Sequence, residues 1–178
     1  MRNARRDGRT ERTVLCALFV ALTAACAQII IPIGAVPVSL SLLPVLLCAA
    51  MLPVQDALMA MGAYLLLGLA GVPVFSGFAG GPAKLAGPTG GYLIGYLPCV
   101  LCAGMLIRRF GRNPAVQTAA MVLGVLVCYA FGTAWFAAQS GWALGRCLTV
   151  CVLPFLPFDA AKVALSAVLS RRLYPLLA

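Results

Sequence analysis

Pro154-Phe155-Leu156-Pro157-Phe158-Asp159-Ala160-Ala161-Lys162-Val163-Ala164-Leu165 sets one acid and one base in otherwise apolar sequence. Asp159 and Lys162 are three residues apart, so a helix brings them onto one face. Pro157 suits the first turn of such a helix, where its missing N–H costs nothing. Asp159 then lies at the positive end of the helix dipole. An acid and a base inside a membrane are costly to keep, and they mark a functional site by default. A structural ion pair that braces the last helix is the competing reading.

The surrounding composition puts that stretch inside a membrane. Of the 178 residues 63% are hydrophobic and 10% charged, and the mean hydropathy is +1.03. Soluble domains average about 45–50% apolar and about 25% charged. A spanning helix takes roughly 20 residues, which leaves room for about six spans and no soluble domain. The whole of 1–178 is therefore expected to be a single membrane domain, with 1–12 as a basic cytoplasmic N-terminus.

The net charge of +9 does not point to nucleic acid. The basic residues form clusters at Arg2, Arg5, Arg6, Arg9 and Arg12, at Arg108, Arg109 and Arg112, and at Arg171 and Arg172. Each cluster flanks an apolar segment, as cytoplasmic ends do under the positive-inside rule. Six spans with both termini inside put every cluster on the cytoplasmic side and leave Lys84 and Arg146 outside. The apolar stretch 14–31 after the first cluster is long for a signal peptide, and a retained first helix is expected.

Six helices are expected at about 13–31, 38–51, 55–70, 91–108, 115–139 and 157–173, with a short helix at about 143–152 before the last. Pro32-Ile33-Gly34-Ala35-Val36-Pro37 breaks the first pair. The fold class is thus all-α, an integral membrane bundle with a Gly/Pro-rich loop between helices 3 and 4. That loop, residues 71–90, is largely apolar. Irregular backbone at membrane depth survives only when buried in protein or lining a cavity, so it is expected to fold inward as a lid that orders on ligand binding. An ordinary connector is the alternative. Gly90 and Gly91 open helix 4, where free N–H groups suit an anionic or carbonyl group.

Other residues leave choices open. Tyr129, Gly132 and Trp135 recur at spacing three on helix 5, as belt or as pocket residues. Gln28 reads either as a pocket residue or as a helix–helix hydrogen bond. Ala17, Ala21 and Ala25 make a stripe that permits close helix approach, used for packing or for docking. Eight cysteines are present and no histidine. The Cys99-x-x-Cys102 pair and the Cys147/Cys151 pair lie in apolar sequence without a second ligand pair, so the cysteines are read as small buried apolar residues. No phosphate-binding G-x-x-x-x-G-K-[ST] loop occurs. The acids number only four, which argues against a metal-dependent hydrolase. Neither a cofactor nor a metal is expected.

Several strings together resemble the BioY family, the biotin-specific substrate-capture subunits (S components) of bacterial energy-coupling-factor transporters. They are Ile31-Pro32-Ile33-Gly34 with Val36-Pro37-Val38, Gly68-Leu69-Ala70-Gly71-Val72-Pro73-Val74-Phe75, Gly87-Pro88-Thr89-Gly90-Gly91-Tyr92, Tyr129-Ala130-Phe131-Gly132-Thr133-Ala134-Trp135, and Leu153-Pro154-Phe155-Leu156-Pro157-Phe158-Asp159 with Lys162. Two features depart from the family pattern: Ser39 and Ser41 stand where Thr and Gln are usual, and Phe158 where Gly is usual.

The resemblance implies a six-helix fold in the cell membrane that binds biotin near the outer face, without covalent chemistry. Its binding set here is Asp159, Lys162, Tyr92, Thr89, Gly90, Gly91, Ser76, Lys84, Ser39 and Trp135. Under it Asp159 accepts from a ureido N–H and Lys162 donates to a ligand oxygen, while Lys84 is the other candidate for the carboxylate. A coupling membrane subunit and two ATPases are the implied partners, docked through Ala17, Ala21 and Ala25, with membrane lipid around the bundle. A homo-oligomer is left open. The competing functions are an S component for another vitamin, and a membrane-embedded enzyme or structural subunit.

Overall fold

The computed structural model of the chain describes residues 2–31 and 38–176. The helix break expected at 32–37 lies outside the described residues, as do the parts of the resemblance carried there.

Helix α1 runs Arg2–Ala27, so the helix expected from about residue 13 extends back through the basic N-terminal segment. Arg is a good helix former and the segment holds no proline, with Gly8 its one weak position. Two short strands follow, β1 Ile30–Ile31 and β2 Val38–Ser39. They pair antiparallel, with Ile30 opposite Ser39 and Ile31 opposite Val38. The second helix, expected from about 38, therefore starts later, as α2 Leu42–Met51. Strand pairing satisfies the backbone groups at 38–39 that a helix would otherwise have used.

Helix α3 spans Val54–Leu69. The 71–90 stretch is not wholly irregular: it contains a helical turn, α4 Pro82–Ala86, with Pro82 in its first turn. The expected fourth helix is two pieces, α5 Gly90–Ile94 and α6 Tyr96–Phe110, joined at Gly95. Helix α7 covers Pro114–Ser140. It is capped by Asn113, whose side chain accepts from the Ala115 N–H, and it ends at Gly141 in the left-handed region, with φ of +68°. Helices α8 Leu144–Cys151 and α9 Leu156–Leu173 close the chain, followed by a 3₁₀ turn Tyr174–Leu176.

Helix α2 is the centre of the bundle. All its residues are buried, and it packs against α1, α3, α6, α7 and α9. A helix that is apolar all round belongs in such a place. Ser166 ties α9 to it by donating to the Leu43 carbonyl at 3.2 Å. Helices α6 and α7 pack along each other. A Cβ on Gly124 would lie 3.0 Å from the Cys99 carbonyl oxygen, a tight contact that glycine avoids where these two helices meet.

Among the described residues, three segments are long and apolar enough to cross a membrane, Arg9–Ala27, Gly90–Phe110 and Pro114–Ser140, and α8 with α9 makes a fourth with a 58° bend. Helices α2 and α3 are apolar but shorter. The bend falls where Pro154 and Pro157 remove backbone donors. The chain is a mostly helical membrane protein.

Candidate functional site

Pro157 sits in the first turn of α9, and the Asp159 N–H bonds the Phe155 carbonyl at 2.8 Å. This start points Asp159 and Lys162 inward. Lys162 Nζ donates to Asp159 Oδ1 at 2.6 Å, and each side chain is 8% exposed. The second carboxylate oxygen, Oδ2, accepts from the Tyr129 hydroxyl of α7. A buried carboxylate is thus held by one charged and one neutral donor, which is the arrangement that makes such burial tolerable.

The three groups line a cavity of about 90 Å³. Val38, Ser39 and Leu42 form one wall, and Ser76, Lys84 and Thr89 come from the 71–90 stretch. Tyr92, Leu93, Tyr96, Cys128 and Phe155 complete it. On the β2–α2 side, Ser39 Oγ and Ser41 Oγ are 2.6 Å apart, and Ser41 Oγ is 2.6 Å from the Tyr96 hydroxyl. Ser39 and Lys162 also border a neighbouring apolar cavity of about 180 Å³. Lys84 makes no ion pair among the described residues. Counting Lys84, Lys162 and Asp159, the charged groups on the wall leave one positive charge unmatched.

The 71–90 stretch contributes Ser76, Lys84 and Thr89 to this site and is tied down by groups far away in sequence. Gln28 uses both ends of its amide: Nε2 donates to the Phe75 carbonyl at 3.2 Å, and Oε1 accepts from the Phe78 N–H at 2.8 Å. Phe75 is fully buried and packs edge-on to Tyr64, with ring centroids 5.4 Å apart. Its ring occupies the space over Gly68, where a Cβ would come within 1.9 Å of it. At the other end of the stretch, Trp135 Nε1 donates to the Gly87 carbonyl at 3.0 Å.

Seven expected site residues meet at the cavity: Asp159, Lys162, Tyr92, Thr89, Ser76, Lys84 and Ser39. Gly90, Gly91 and Trp135 stand behind the wall. The Gly90 N–H is used by the Gly87 carbonyl, and the Gly90 Cα lies against the Leu85 backbone. A Cβ on Gly91 would be 2.2 Å from the Trp135 Cβ, so Gly91 lets α5 pack closely on α7, while Gly90 lets the start of α5 pack against Leu85 of α4. Gly132 does the same for Tyr92: a Cβ there would be 2.3 Å from the Tyr92 ring. Tyr92 also shares a hydrogen bond of 3.0 Å with Thr133.

Of the choices left open, Tyr129 is a cavity residue and Gln28 bonds the backbone of the 71–90 stretch. Tyr96, Leu93, Cys128 and Phe155 carried no sequence signal that separated them from ordinary core residues. Ala17, Ala21 and Ala25 are exposed on the outer face of α1, beside exposed Val14, Leu18 and Leu22. All eight cysteines are free thiols. Among the described residues, no three His, Cys, Asp or Glu side chains converge to hold a metal.

Comparison with known proteins follows the same lines. The BioY family profile matches residues 1–178. A probable biotin transporter BioY of Pyrococcus horikoshii is 36% identical over 165 residues, covering 93% of this chain and 97% of the relative. The biotin transporter BioY of Thermotoga maritima is 34% identical over 163 residues, covering 92% and 95%. Among solved structures, the S component for biotin from an ECF-type ABC transporter superposes with a TM-score of 0.89 at 28% identity, covering 94% of this chain and 92% of that one. With a match along the whole chain and relatives of nearly equal length, this protein belongs to the BioY family.

Proposed function

We propose that the chain captures biotin at the outer face of the cell membrane and delivers it inward as the substrate-specific subunit of an energy-coupling-factor transporter. The observation that carries this reading is the buried Asp159–Lys162–Tyr129 cluster in the wall of a mostly apolar cavity. A pocket with apolar walls and a few convergent polar groups suits a ligand of that kind. Biotin has a ureido ring, an apolar bicycle and a carboxylate tail. Asp159 accepts from a ureido N–H, Lys162 donates to a ligand oxygen, and Lys84 supplies the unmatched positive charge for the carboxylate. Thr89, Tyr92, Ser76 and Ser39 contribute polar and aromatic lining. Gly90, Gly91 and Trp135 act through the lid that they position.

In this reading the six spans are α1, α2, α3, α5–α6, α7 and α8–α9. Both termini are cytoplasmic, because the Arg clusters flank those ends. The short α2 is tolerated because protein, rather than lipid, surrounds it. A coupling membrane subunit, itself associated with two ATPases, docks on the alanine stripe Ala17, Ala21 and Ala25, whose exposure supports that role.

Isothermal titration of the detergent-purified protein with biotin tests the proposal, with riboflavin and thiamine as competitors. Tight binding of biotin alone is expected. Preference for another vitamin overturns the specificity, and absence of any vitamin binding overturns the function.

A further inference from the structure

Helix α1 is the least buried of the three long spans. Only 17% of its segment Arg9–Ala27 is buried, against 56% of Gly90–Phe110 and 50% of Pro114–Ser140. Its inner face is the narrow stripe Cys16, Phe19, Thr23 and Ala27, and the Thr23 hydroxyl donates to the Phe19 carbonyl of the same helix. The opposite face, with Ala17, Leu18, Ala21, Leu22 and Ala25, is apolar too. Lipid tails are as apolar as these side chains, so hydrophobicity does not decide which face of α1 turns inward. Polar contacts near its N-terminal end do. Arg12 Nε donates to Asp56 Oδ2 at 2.6 Å, and Cys16 Sγ donates to the Asp56 carbonyl at 3.4 Å. Asp56 lies in the first turn of α3, where the helix dipole favours an acid, and it is 5% exposed. Arg12 is half-exposed, so the cost of separating the pair falls on the buried carboxylate that would lose its counter-charge. Asp56 therefore draws Arg12, and the helix that carries it, to one direction.

We infer that Arg12 and Asp56 are positioning residues for the docking face: their pair sets the rotation of α1 about its axis and so turns the alanine stripe outward. This rests on the docking reading above and adds the residues that present the surface. Ala21, the middle of the stripe, follows Arg12 by nine residues, about two and a half helical turns, and so points directly away from it. Ala17 and Ala25 lie about 40° to either side of that direction. With Arg12 held on Asp56, the three small side chains face away from α3 as a set. A rotation of α1 by about 100° would bring Leu22 to the place of Ala21, and a large side chain there prevents the close backbone approach that small residues allow. Gln28, just past the other end of α1, is bonded separately to the 71–90 stretch. Neither Arg12 nor Asp56 lines a cavity, so the pair acts on the docking face and not on the ligand.

The experiment has two readouts on the full-length protein. The first is the oxygen accessibility of a nitroxide at position 21 in lipid nanodiscs, carried on an encoded keto side chain so that the native cysteines stay untouched. The second, on unlabelled protein, is co-purification with the co-expressed coupling subunit and ATPases. The parent is expected to show a lipid-facing label and to co-purify. Arg12→Gln and Asp56→Ala should each lower the accessibility at position 21 and lose most of the co-purified subunit, with calorimetric biotin affinity at the parent value. The double variant should be no worse than either single one, since both remove the same interaction. Arg12→Lys, which keeps a positive charge within reach of Asp56, should recover both readouts. Accessibility unchanged in both single variants overturns the inference, because packing alone then sets the rotation. An effect of Arg12→Gln without one of Asp56→Ala also overturns it, because Arg12 then meets lipid or the partner directly. A moved label with normal co-purification upholds the positioning assignment and refutes the docking reading instead.

Discussion

Tyr129 and Asp159, thirty residues apart in sequence and on different helices, are joined by a hydrogen bond from the tyrosine hydroxyl to the carboxylate. The bond occupies one oxygen of Asp159 and leaves the other to Lys162. It fixes the plane of the carboxylate, and with it the direction in which Asp159 accepts from a ligand. Tyr129→Phe removes this donor and leaves the ring. A hydrogen bond to a charged group contributes about 1.5–3 kcal/mol, so biotin affinity is expected to fall by at least about tenfold. Calorimetry measures it; unchanged affinity means that the carboxylate needs no such orientation.

The ion pair itself separates bracing from binding. Removing one partner leaves a buried charge uncompensated and is expected to destabilise by about 3–5 kcal/mol, whereas apolar replacement of both is often neutral. Asp159→Asn and Lys162→Ala should each lower the melting temperature in detergent and weaken biotin binding. Asp159→Leu with Lys162→Met should recover the melting temperature without recovering binding. Recovery of both shows that the pair only braces α9.

Gly91 tests the lid by sterics alone. An added Cβ would meet the Trp135 Cβ at 2.2 Å, and overpacking of this kind costs about 1–3 kcal/mol. Gly91→Ala is expected to push the 87–91 backbone away from α7 and stretch the bond between Trp135 and Gly87. Faster hydrogen exchange at 82–91 and weaker biotin binding should appear together. Exchange as slow as in the parent means that the close packing there does not hold the lid.

Gln28 holds the other end of the lid through the Phe75 carbonyl and the Phe78 N–H. Gln28→Ala frees the Phe78 N–H and leaves the Phe75 carbonyl with the Ala79 N–H alone. Spin labels placed near residue 78 should become more mobile, and biotin should dissociate faster, with a smaller change in the rate of association. Equal label mobility with and without biotin in the parent protein would show that ligand binding does not order the lid.

The alanine stripe is exposed on α1, and no residue of α1 lines either cavity. Ala21→Trp places a bulky side chain on that exposed face. Biotin binding by the isolated protein is expected to be unchanged, while co-purification with the coupling subunit is lost. Normal co-purification moves the docking surface elsewhere.

Much of this architecture was legible in the sequence because it depends on local rules. Hydropathy and length located most helical segments to within a few residues; the exceptions are the start of α1, which runs back through the basic segment to Arg2, the strand pairing of Val38 and Ser39, the helical turn at Pro82–Ala86 and the joint at Gly95. The spacing of Asp159 and Lys162 was enough to put them on one face, since a helix turns by a fixed angle per residue. Gly90, Gly91 and Trp135 were expected in the binding set, but their close packing keeps them off the cavity wall. A glycine that admits a ligand and one that admits a neighbouring helix look alike in sequence.

The sequence by itself determined the membrane class, the apolar helices, the family and the buried pair on the last helix, because composition and i, i+3 geometry need no knowledge of how helices pack. Only the tertiary structure decided that Tyr129 meets Asp159, that Ser41 joins Ser39 to Tyr96, and that Gln28 grips the backbone of the lid. Those contacts join residues on separate elements. They exist only once the bundle has fixed the rotation of each helix about its axis, and no local pattern encodes that rotation.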